Sequence, residues 1–288
     1  MTTGFDLHTH STRSDGTTAP ATNALLAAQA GLTGFALTDH DTLDGWQEAA
    51  DAAADLGIQF MPGVELSTEL GDRGVHILGY WVDPDHAELR EECQRLRHER
   101  RRRAAEIVRL LVGLGLPVTL ERVIAEAGDA PIGRPHIAAV LVTEGLVADL
   151  DAAFDLYLAD GRPAYVPKHA LSPEAGVELI RAAGGAAVLA HPGLGSREAQ
   201  VDVALLERLI GVGLAGVEAD HYGHDEQTKV FWREAALDRG LVVTGASDFH
   251  GPGRDSSMGI ATTPVEGVQR LRNAAQRGAR LMKEGARW

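Results

Sequence analysis

The sequence predicts an α/β barrel of fewer than eight β/α units, interrupted by a helical insertion. First, short apolar runs of strand length alternate with helical stretches in the first and last thirds of the chain, and this alternation is typical of βαβ units. Second, histidines and carboxylates follow the apolar runs, where the C-terminal ends of barrel strands deliver side chains to a shared site. Third, residues 83 to about 167 show helical patterns and no convincing strand.

Six or seven candidate strands and five helices account for the outer thirds. The strands are expected at Gly4–Leu7, ending at Thr38, ending at Glu65, from His76 to Trp81, ending at Ala190, at Gly216–Ala219 and ending at Thr244. The helices between them are expected at Ala19–Ala30, Leu43–Leu56, Pro173–Ala183, Val203–Val212 and Glu226–Arg239.

The middle of the chain is expected to be all-helical. Its helices are predicted at Ala87–Leu114, Leu120–Ala127, His136–Glu144 and Asp151–Leu158, with Pro84, Pro117, Pro131 and Pro135 between or before them. We therefore expect residues 1–82 and 168–288 to form the barrel domain and residues 83–167 to form a cap over the barrel mouth.

Composition restricts the partners and the compartment. With 288 residues and 44% hydrophobic residues, the chain can bury one large core, or one core with a smaller attached domain. A formal charge of −14 disfavours duplex nucleic acid as a partner. The basic run Leu96–Arg103 is read as a solvated helix face, with one or two arginines meeting phosphate as the alternative. No apolar stretch reaches the roughly 18 residues of a membrane span, and no leader segment is expected before Gly4. The single cysteine, Cys93, suits a reducing compartment. We therefore expect a cytoplasmic protein without membrane partners.

Histidines and carboxylates recur in a pattern that predicts a multinuclear metal site. His8 and His10 project from the same side of an extended segment, because side chains alternate with a period of two. The other candidates are Asp15, His40, Glu65, His76, His191, Asp248 and His250. Each motif alone is compatible with a hydrogen-bonded core histidine or a polar loop, but their shared position at strand ends favours metal binding. Imidazole and carboxylate ligands suit manganese, iron and zinc.

The expected charge of this site favours a phosphate ester as substrate. Asp15, Glu65 and Asp248 would supply three negative charges, whereas three divalent ions would carry six positive ones. Such clusters lower the pKa of bound water to about 7 and stabilise the attacking and leaving oxygens. The nucleophile would then be a metal-activated hydroxide, and no serine or cysteine would be needed.

The motifs together resemble the PHP (polymerase and histidinol phosphatase) family of metal-dependent phosphoesterases. The segments that carry the resemblance, in order, are Asp6-Leu7-His8-Thr9-His10-Ser11, Thr38-Asp39-His40-Asp41, Pro62-Gly63-Val64-Glu65, Ala190-His191-Pro192 and Ser247-Asp248-Phe249-His250. The resemblance implies a distorted (β/α)7 barrel with a trinuclear site. It implies three ligand sets, with Glu65 shared: His8, His10, Glu65 and Asp248; Asp15, His40 and His250; and Glu65, His76 and His191. It also implies catalytic roles for Asp15, His40, Glu65, His191 and Asp248. Some members carry histidine at the position of Asp15, which bears on the metal's identity rather than on the reaction.

The insertion resembles the PHP branch that acts on nucleotides. The segments concerned are Gly133-Arg134-Pro135-His136-Ile137-Ala138 and Gly161-Arg162-Pro163-Ala164-Tyr165-Val166-Pro167-Lys168. The branch includes a 3′,5′-nucleotide bisphosphate phosphatase and an exonuclease that trims short RNA or DNA from the 5′ end. Arg134 would clamp a phosphate in bidentate fashion, with His136 and Lys168 as further donors, although Arg134-Pro135-His136 also suits an ordinary helix start.

Further residues are candidates for substrate contact or for orienting ligands. His221 and His224 follow a predicted strand and would contact the substrate or protonate a leaving oxygen. For His221, a polar surface loop is the favoured alternative. Arg254 would reach a second phosphate or be solvated. Asp6, Asp39 and Asp41 are expected to orient the ligating imidazoles through their second nitrogen.

Three other functions stay open from the sequence. A metal amidohydrolase would share the paired histidines, but it usually needs a lysine bridging the metals, and none of Lys168, Lys229 and Lys283 ends a strand convincingly. A sugar-phosphate or histidinol-phosphate phosphatase would share the metal chemistry and differ in its substrate. A non-catalytic metal-binding domain would bind metal without turnover.

Overall fold

A seven-stranded sheet forms the centre of the protein. The computed structural model describes residues 4–71, 73–128, 132–167, 171–194, 201–254 and 256–285. The strands are β1 (Phe5–Asp6), β2 (Gly34–Leu37), β3 (Gln59–Leu70), β4 (Arg73–Tyr80), β5 (Ala186–Leu189), β6 (Gly216–His221) and β7 (Val242–Ala246). They follow one another in chain order across the sheet. Bridges from Thr9 to Phe249 and from Phe5 to Thr263 join the two sheet edges, so the predicted distorted (β/α)7 barrel is confirmed.

One strand runs against the others and distorts the barrel. β4 is antiparallel to both β3 and β5, whereas the other pairs of neighbours are parallel. The sequence predicts that this strand ends at Glu65, but β3 continues to Leu70. The chain then turns into β4 at Gly71, whose φ of 64° is unstrained only in glycine. His76 therefore enters from the middle of an antiparallel strand and pairs with Ser67 in the register of this hairpin.

Helices connect the strands close to where the sequence predicts them. They are α1 (Pro20–Gln29), α2 (Trp46–Leu56), α3 (Ala87–Gly113), α4 (Leu120–Ala127), α5 (Arg134–Thr143), α6 (Leu150–Ala153) with a following π-helix (Phe154–Leu158), α7 (Pro173–Ala182), α8 (Val203–Gly211), α9 (Glu226–Leu237) and α10 (Val265–Gly285). Side chains cap several of them: Ser172, Asp202 and Asp225 each accept a hydrogen bond from a main-chain N–H of the first turn. α10 was not predicted, although Val268 and Leu271 recur at helical spacing and pack into the core.

The chain divides into two compact units, Met1–Cys93 with Ala170–Trp288, and Gln94–His169. The first contains the whole sheet. The second contains α4, α5, α6 and the π-helix, and it buries its own core, which includes Ile107, Leu111, Val123, Ile137 and Leu141. That the second unit caps the barrel mouth stays a prediction. Among the described residues, no helix combines the length and the apolarity needed to cross a bilayer.

Candidate metal centre

His8 and His10 begin the site directly after β1. Both side chains are fully buried, and their Nε2 atoms lie 3.3 and 3.1 Å from Oδ1 of Asp248, which follows β7. The two segments meet because Thr9 and Phe249 pair across the sheet edges. The predicted convergence of these strand ends is what the structure shows.

Glu65 lies at the centre of the cluster. One carboxylate oxygen, Oε2, lies 3.2 Å from Nε2 of His8, 3.2 Å from Nε2 of His10 and 3.1 Å from Nδ1 of His40. The other, Oε1, lies 2.8 Å from Nδ1 of His76 and 3.1 Å from Nε2 of His191. One buried carboxylate therefore faces ring nitrogens from five histidines, an arrangement suited to a bridging ligand.

Asp15 forms a second focus beside it. Its oxygens lie 3.4 Å from Nδ1 of His10, 3.6 Å from Nε2 of His40 and 3.4 Å from Nε2 of His250. His250 bonds through Nδ1 to the carbonyl of Asp248 at 2.8 Å, and because a carbonyl only accepts, Nδ1 carries the proton. The lone pair at Nε2 of His250 is thereby directed to Asp15.

The geometry of these groups fits divalent cations. Four sets of residues each offer ligand atoms within 4.8 Å of one another: His10, Asp15, His40 and His250; His8, Glu65 and His191; His8, His10 and Asp248; and His40, Glu65 and His76. The inner ring nitrogens of His8, His10 and His40 are buried and make no well-formed hydrogen bond, although carboxylate oxygens lie close by. Buried nitrogens and oxygens that converge in this way need a positive charge between them.

The ionisation of the cluster supports this interpretation. Burial opposes charge on His8, yet the carboxylates of Glu218, Asp248 and Glu65 raise the pKa of its imidazole to about 10. Burial likewise opposes ionisation of Glu65, but the surrounding imidazoles hold the pKa of its carboxyl well below the ordinary value. Burial lowers the pKa of His40 to about 4 despite Glu65 and Asp15. When no other cation is present, His8 therefore retains a proton beside ionised carboxylates, whereas His40 is neutral.

Asp39 orders the loop that carries Asp15. It accepts hydrogen bonds from the N–H and Oγ of Ser11, at 2.8 and 2.7 Å, and from Oγ of Ser14 at 2.6 Å. Ser14 Oγ in turn lies 3.5 Å from Nδ1 of His10. Gly16 closes the same loop, since an added Cβ would lie 2.5 Å from the carbonyl oxygen of His10. Asp39 therefore reaches the surroundings of His10 through Ser14, and its role in orienting this imidazole stays a prediction.

The other two expected orienting carboxylates accept from main-chain N–H groups, and Asp41 also accepts from a hydroxyl. Asp6 accepts from the N–H groups of Ser247 and Gly259, at 3.0 and 2.8 Å, and so ties β1 to the segments after β7. Asp41 accepts from the N–H and Oγ of Ser67, which fixes the far half of β3. For Asp6, the expectation that it orients an imidazole is wrong, because its oxygens serve the backbone of neighbouring strand ends.

Glu218 does contact a ligating imidazole, and it was missed from the sequence. It is fully buried on β6, and its oxygens lie 3.1 and 3.3 Å from Nδ1 of His8. A charged side chain between the apolar Val217 and Ala219 was the available signal, since an unpaired buried carboxylate is costly.

His221 and His224 are buried in the barrel, so the expected alternative of a polar surface loop for His221 is wrong. Nδ1 of His221 accepts the N–H of Gly223 at 3.0 Å, which places its proton on Nε2, 3.5 Å from Oδ2 of Asp248. Nδ1 of His224 bonds to the carbonyl of Ala219 at 2.9 Å, so its lone pair is on Nε2. His221 is therefore a hydrogen-bond donor beside the cluster, and His224 an acceptor.

The remaining substrate candidates lie elsewhere in the chain. In the second unit, Arg134 donates from Nη1 to the carbonyl of Leu158 at 3.2 Å and lies over the rings of Phe154 and Tyr165. Nδ1 of His136 accepts the N–H of Gly133 at 3.0 Å, which leaves Nε2–H as a donor. Arg254 is exposed on the loop after His250, and Lys168 lies outside the described residues.

Comparison with known proteins identifies the family. A model of the PHP domain matches residues 6–114. A 5′-3′ exoribonuclease of Haemophilus influenzae is 34% identical over 88% of this chain and 92% of its own. A 3′,5′-nucleoside bisphosphate phosphatase of Chromobacterium violaceum is 36% identical over 86% of this chain and 88% of its own. A phosphoribosyl 1,2-cyclic phosphate 1,2-diphosphodiesterase of Eggerthella lenta is 33% identical over 85% of this chain and 94% of its own.

Two solved structures share the fold of this chain. A Bifidobacterium adolescentis protein assigned as a metal-dependent phosphoesterase superposes with a TM-score of 0.78 at 31% identity, over 95% of this chain and 97% of the other. A Chromobacterium violaceum protein titled an amidohydrolase, with bound sulfate, gives 0.75 at 33% identity, over 94% and 96%. The protein therefore belongs to the PHP family of metal-dependent phosphoesterases.

Proposed function

We propose that this protein hydrolyses a phosphate ester of 3′,5′-nucleotide bisphosphates or of short 5′-phosphorylated oligonucleotides, at a trinuclear metal site. The observation that carries the proposal is Glu65, whose two oxygens face ring nitrogens of five histidines between 2.8 and 3.2 Å away. A single buried carboxylate with that many imidazoles suits several ions better than one.

The proposed ligand sets are those implied by the family resemblance. They are His8, His10, Glu65 and Asp248; Asp15, His40 and His250; and Glu65, His76 and His191. In the structure His10 also groups with the members of the second set. His191 groups with His8 and Glu65. When bound, divalent ions, with manganese expected and iron or zinc as alternatives, would supply a nucleophile at neutral pH and offset the charge of the phosphate.

The chain's own residues perform the other tasks. His221 holds a proton on Nε2, because Nδ1 accepts the N–H of Gly223, and it can donate this proton to a phosphate oxygen or to the leaving oxygen. Oδ2 of Asp248 lies 3.5 Å from this Nε2 and can accept from it, whereas Oδ1 faces Nε2 of His8 and of His10, with which it would share an ion. In the second unit, the guanidinium of Arg134 keeps nitrogens beyond the one bonded to Leu158, and we assign them to phosphate.

A phosphorylated nucleotide is supported over the competing substrates. Two of the relatives are named for a nucleoside bisphosphate and for RNA. Amide hydrolysis is less well supported, because Lys229, the one lysine whose side chain the structure describes, pairs with Glu226 on α9. The Eggerthella relative makes a cyclic sugar phosphate the substrate to compare.

The test is phosphate release after manganese reconstitution. The substrates are adenosine 3′,5′-bisphosphate, AMP, a short 5′-phosphorylated RNA, a ribose cyclic phosphate and histidinol phosphate. We expect the bisphosphate or the RNA to give the highest kcat/KM. The number of metal ions bound per chain is measured in the same preparation. Preference for histidinol phosphate or the cyclic sugar phosphate would overturn the substrate assignment and leave the metal site intact. Bound metal with no release from any substrate would support a non-catalytic protein.

A further inference from the structure

Glu218 is a buried charge that the proposed ligand sets do not use. Its side chain is fully buried on β6, where the adjacent Val217 and Ala219 are also buried. Removing a carboxylate from water costs several kcal/mol unless specific partners compensate it. Glu218 therefore needs partners that make its position favourable, and His8 and His191 provide them.

The first partner is the imidazole of His8. Its Nδ1 lies 3.1 Å from Oε1 and 3.3 Å from Oε2 of Glu218. An ionised carboxylate has no proton to give, so Nδ1 must donate, and the proton of a neutral His8 is fixed on that nitrogen. The lone pair is then on Nε2, which points to Glu65 and Asp248.

The second partner is the main chain of His191. Its N–H donates to Oε2 of Glu218 at 2.9 Å. His191 has a φ of 24°, which is unfavourable for a residue with a Cβ and persists only where the surroundings hold it. Its imidazole reaches Glu65 through Nε2, so the backbone conformation decides where that ring lies.

The two contacts belong to opposite parts of the site. His8 follows β1 and His191 follows β5, and both rings face Glu65 while they stack at 5.5 Å between centroids. One carboxylate on β6 thus fixes the tautomer of one ring and the backbone that carries the other. Carboxylates in this position raise the basicity of metal-bound imidazoles and hold their orientation.

We propose that Glu218 is a positioning residue for the metal centre: it holds His8 as the Nδ1–H tautomer and His191 in its left-handed backbone conformation, so that both rings present Nε2 to the metal. This inference rests on the proposed metal-dependent function, since it assigns a role toward the same site.

The test is Glu218→Gln, which keeps the size and shape of the side chain. A glutamine amide can accept at its oxygen, but its NH2 group would face the second N–H donor, so only one contact survives. We expect a 10- to 100-fold loss of affinity for the ion held by His8. We also expect kcat to fall while KM changes little, because the residue does not touch substrate. The matched control is Glu174→Gln, which removes a surface carboxylate paired with Arg208 on α7 and α8 and should change none of these quantities.

A second readout does not depend on turnover. In the zinc-loaded protein labelled with 15N-histidine, long-range 1H–15N correlation should show a proton on Nδ1 of His8 and metal on Nε2. In Glu218→Gln the Nδ1–H signal should broaden, shift or vanish. Glu218→Asp is the second variant: it keeps the charge one methylene shorter, reaches one partner, and should retain more metal affinity than the glutamine variant.

The outcomes separate this inference from the proposed function. Wild-type protein that binds metal and releases phosphate, together with a Glu218→Gln protein of equal metal affinity and unchanged His8 tautomer, would overturn the positioning role alone. Wild-type protein that binds no metal would overturn both. If Glu218→Gln fails to fold, the metal titration of Glu218→Asp decides, and wild-type affinity there would refute the role.

Discussion

Thr9 and Phe249 pair as parallel strand neighbours across the two edges of the sheet. The N–H of His10 donates to the carbonyl of Phe249 at 2.7 Å, and the N–H of Phe249 donates to the carbonyl of His8 at 3.2 Å. Thr9 lies between two proposed ligands, and Phe249 lies between Asp248 and His250. The hydrogen bonds that join the sheet edges therefore also set the spacing of four proposed ligand side chains. Closing the barrel brings these side chains together.

The first prediction concerns this seam. Phe249→Ala removes a side chain that is only 3% exposed and should lower the free energy of unfolding by about 3–5 kcal/mol, measured by urea denaturation with a chelator present. Phe231→Ala is the control, because Phe231 is 49% exposed on α9 and should change stability by about 0.5 kcal/mol or less. Equal stability of the two variants would show that burial of the Phe249 side chain beside the seam does not stabilise the fold.

Backbone strain gathers at the same strand ends. His191 and Asp248 have φ values of 24° and 48°, each costing on the order of 1–3 kcal/mol in a residue with a Cβ. The cost is offset locally: Glu218 accepts the N–H of His191, and the carbonyl of Asp248 accepts from Oγ of Ser256. Both residues are proposed ligands, so the strain falls where a side chain must leave the strand direction to reach the cluster.

The second prediction tests the ligands. His10→Ala and Asp248→Asn should each lower kcat/KM by more than about 100-fold, since even the loss of an outer partner of a metal ligand costs 10- to 100-fold. Metal content, measured by elemental analysis, should fall in parallel. His98→Ala is the control, because that histidine is exposed on α3. Full activity of metal-depleted His10→Ala protein would sink the metal mechanism.

The positions of many site residues were predictable because the signal for each lies in a short stretch of sequence. An apolar run followed by a histidine or carboxylate indicates a strand and the residue at its end, and parallel strand ends converge at one edge. This rule placed His8, His40, His191 and Asp248 at strand ends that the structure brings together around or beside Glu65, and their role as metal ligands stays a proposal. His76 was also found, although it lies within the antiparallel β4.

The features that were missed depend on distant contacts. Glu218 stands alone in a strand, and its partners lie 210 and 27 residues away in sequence, so no spacing pattern could reveal it. The second half of β3 contains polar residues that look like a loop. Ser67 and Thr68 are buried there because their hydroxyls bond to Asp41 and to the carbonyl of Val75. Tertiary hydrogen bonds, rather than periodicity, decide both cases.

The third prediction is stabilisation by metal. If the cluster binds ions that the unfolded chain does not, a free concentration 100-fold above Kd should add about 2.7 kcal/mol to the free energy of unfolding. For a chain of this size the melting temperature should rise by about 5–10 °C, measured by scanning calorimetry with manganese and then with excess chelator. Glu65→Gln should show little of this rise, because Glu65 faces all five inner imidazoles. A metal-independent melting temperature in wild-type protein would contradict the site.

The fourth prediction is that metal binding releases protons. Burial opposes charge on His8 and His10, but the neighbouring carboxylates raise the pKa of His8 to about 10 and that of His10 well above its ordinary value. Both rings are therefore protonated near neutral pH in the metal-free protein, and a ligand must be neutral. The apparent affinity for metal should therefore increase as the pH rises toward the pKa of His8. His40, with a pKa of about 4, should release no proton. Titration calorimetry in two buffers of different ionisation enthalpy measures the release, and identical heats in both would contradict it.

The last prediction separates phosphate binding from packing at Arg134. Its guanidinium bonds to Leu158 and lies about 5.8 Å from the ring centroid of Phe154, so it stabilises the second unit whether or not it meets substrate. A charge-assisted hydrogen bond to phosphate contributes about 1.5–3 kcal/mol, and Arg134→Ala should therefore raise KM by about 10- to 100-fold with little change in kcat. Arg134→Lys keeps the charge but loses the planar guanidinium, so it should recover part of the loss in KM and little of the packing. Arg122→Ala removes an exposed arginine paired with Glu144 and should leave KM unchanged. If Arg134→Ala lowers the melting temperature while the folded fraction keeps wild-type kinetics, Arg134 is a packing residue, and phosphate recognition must be sought at Arg254 or His136.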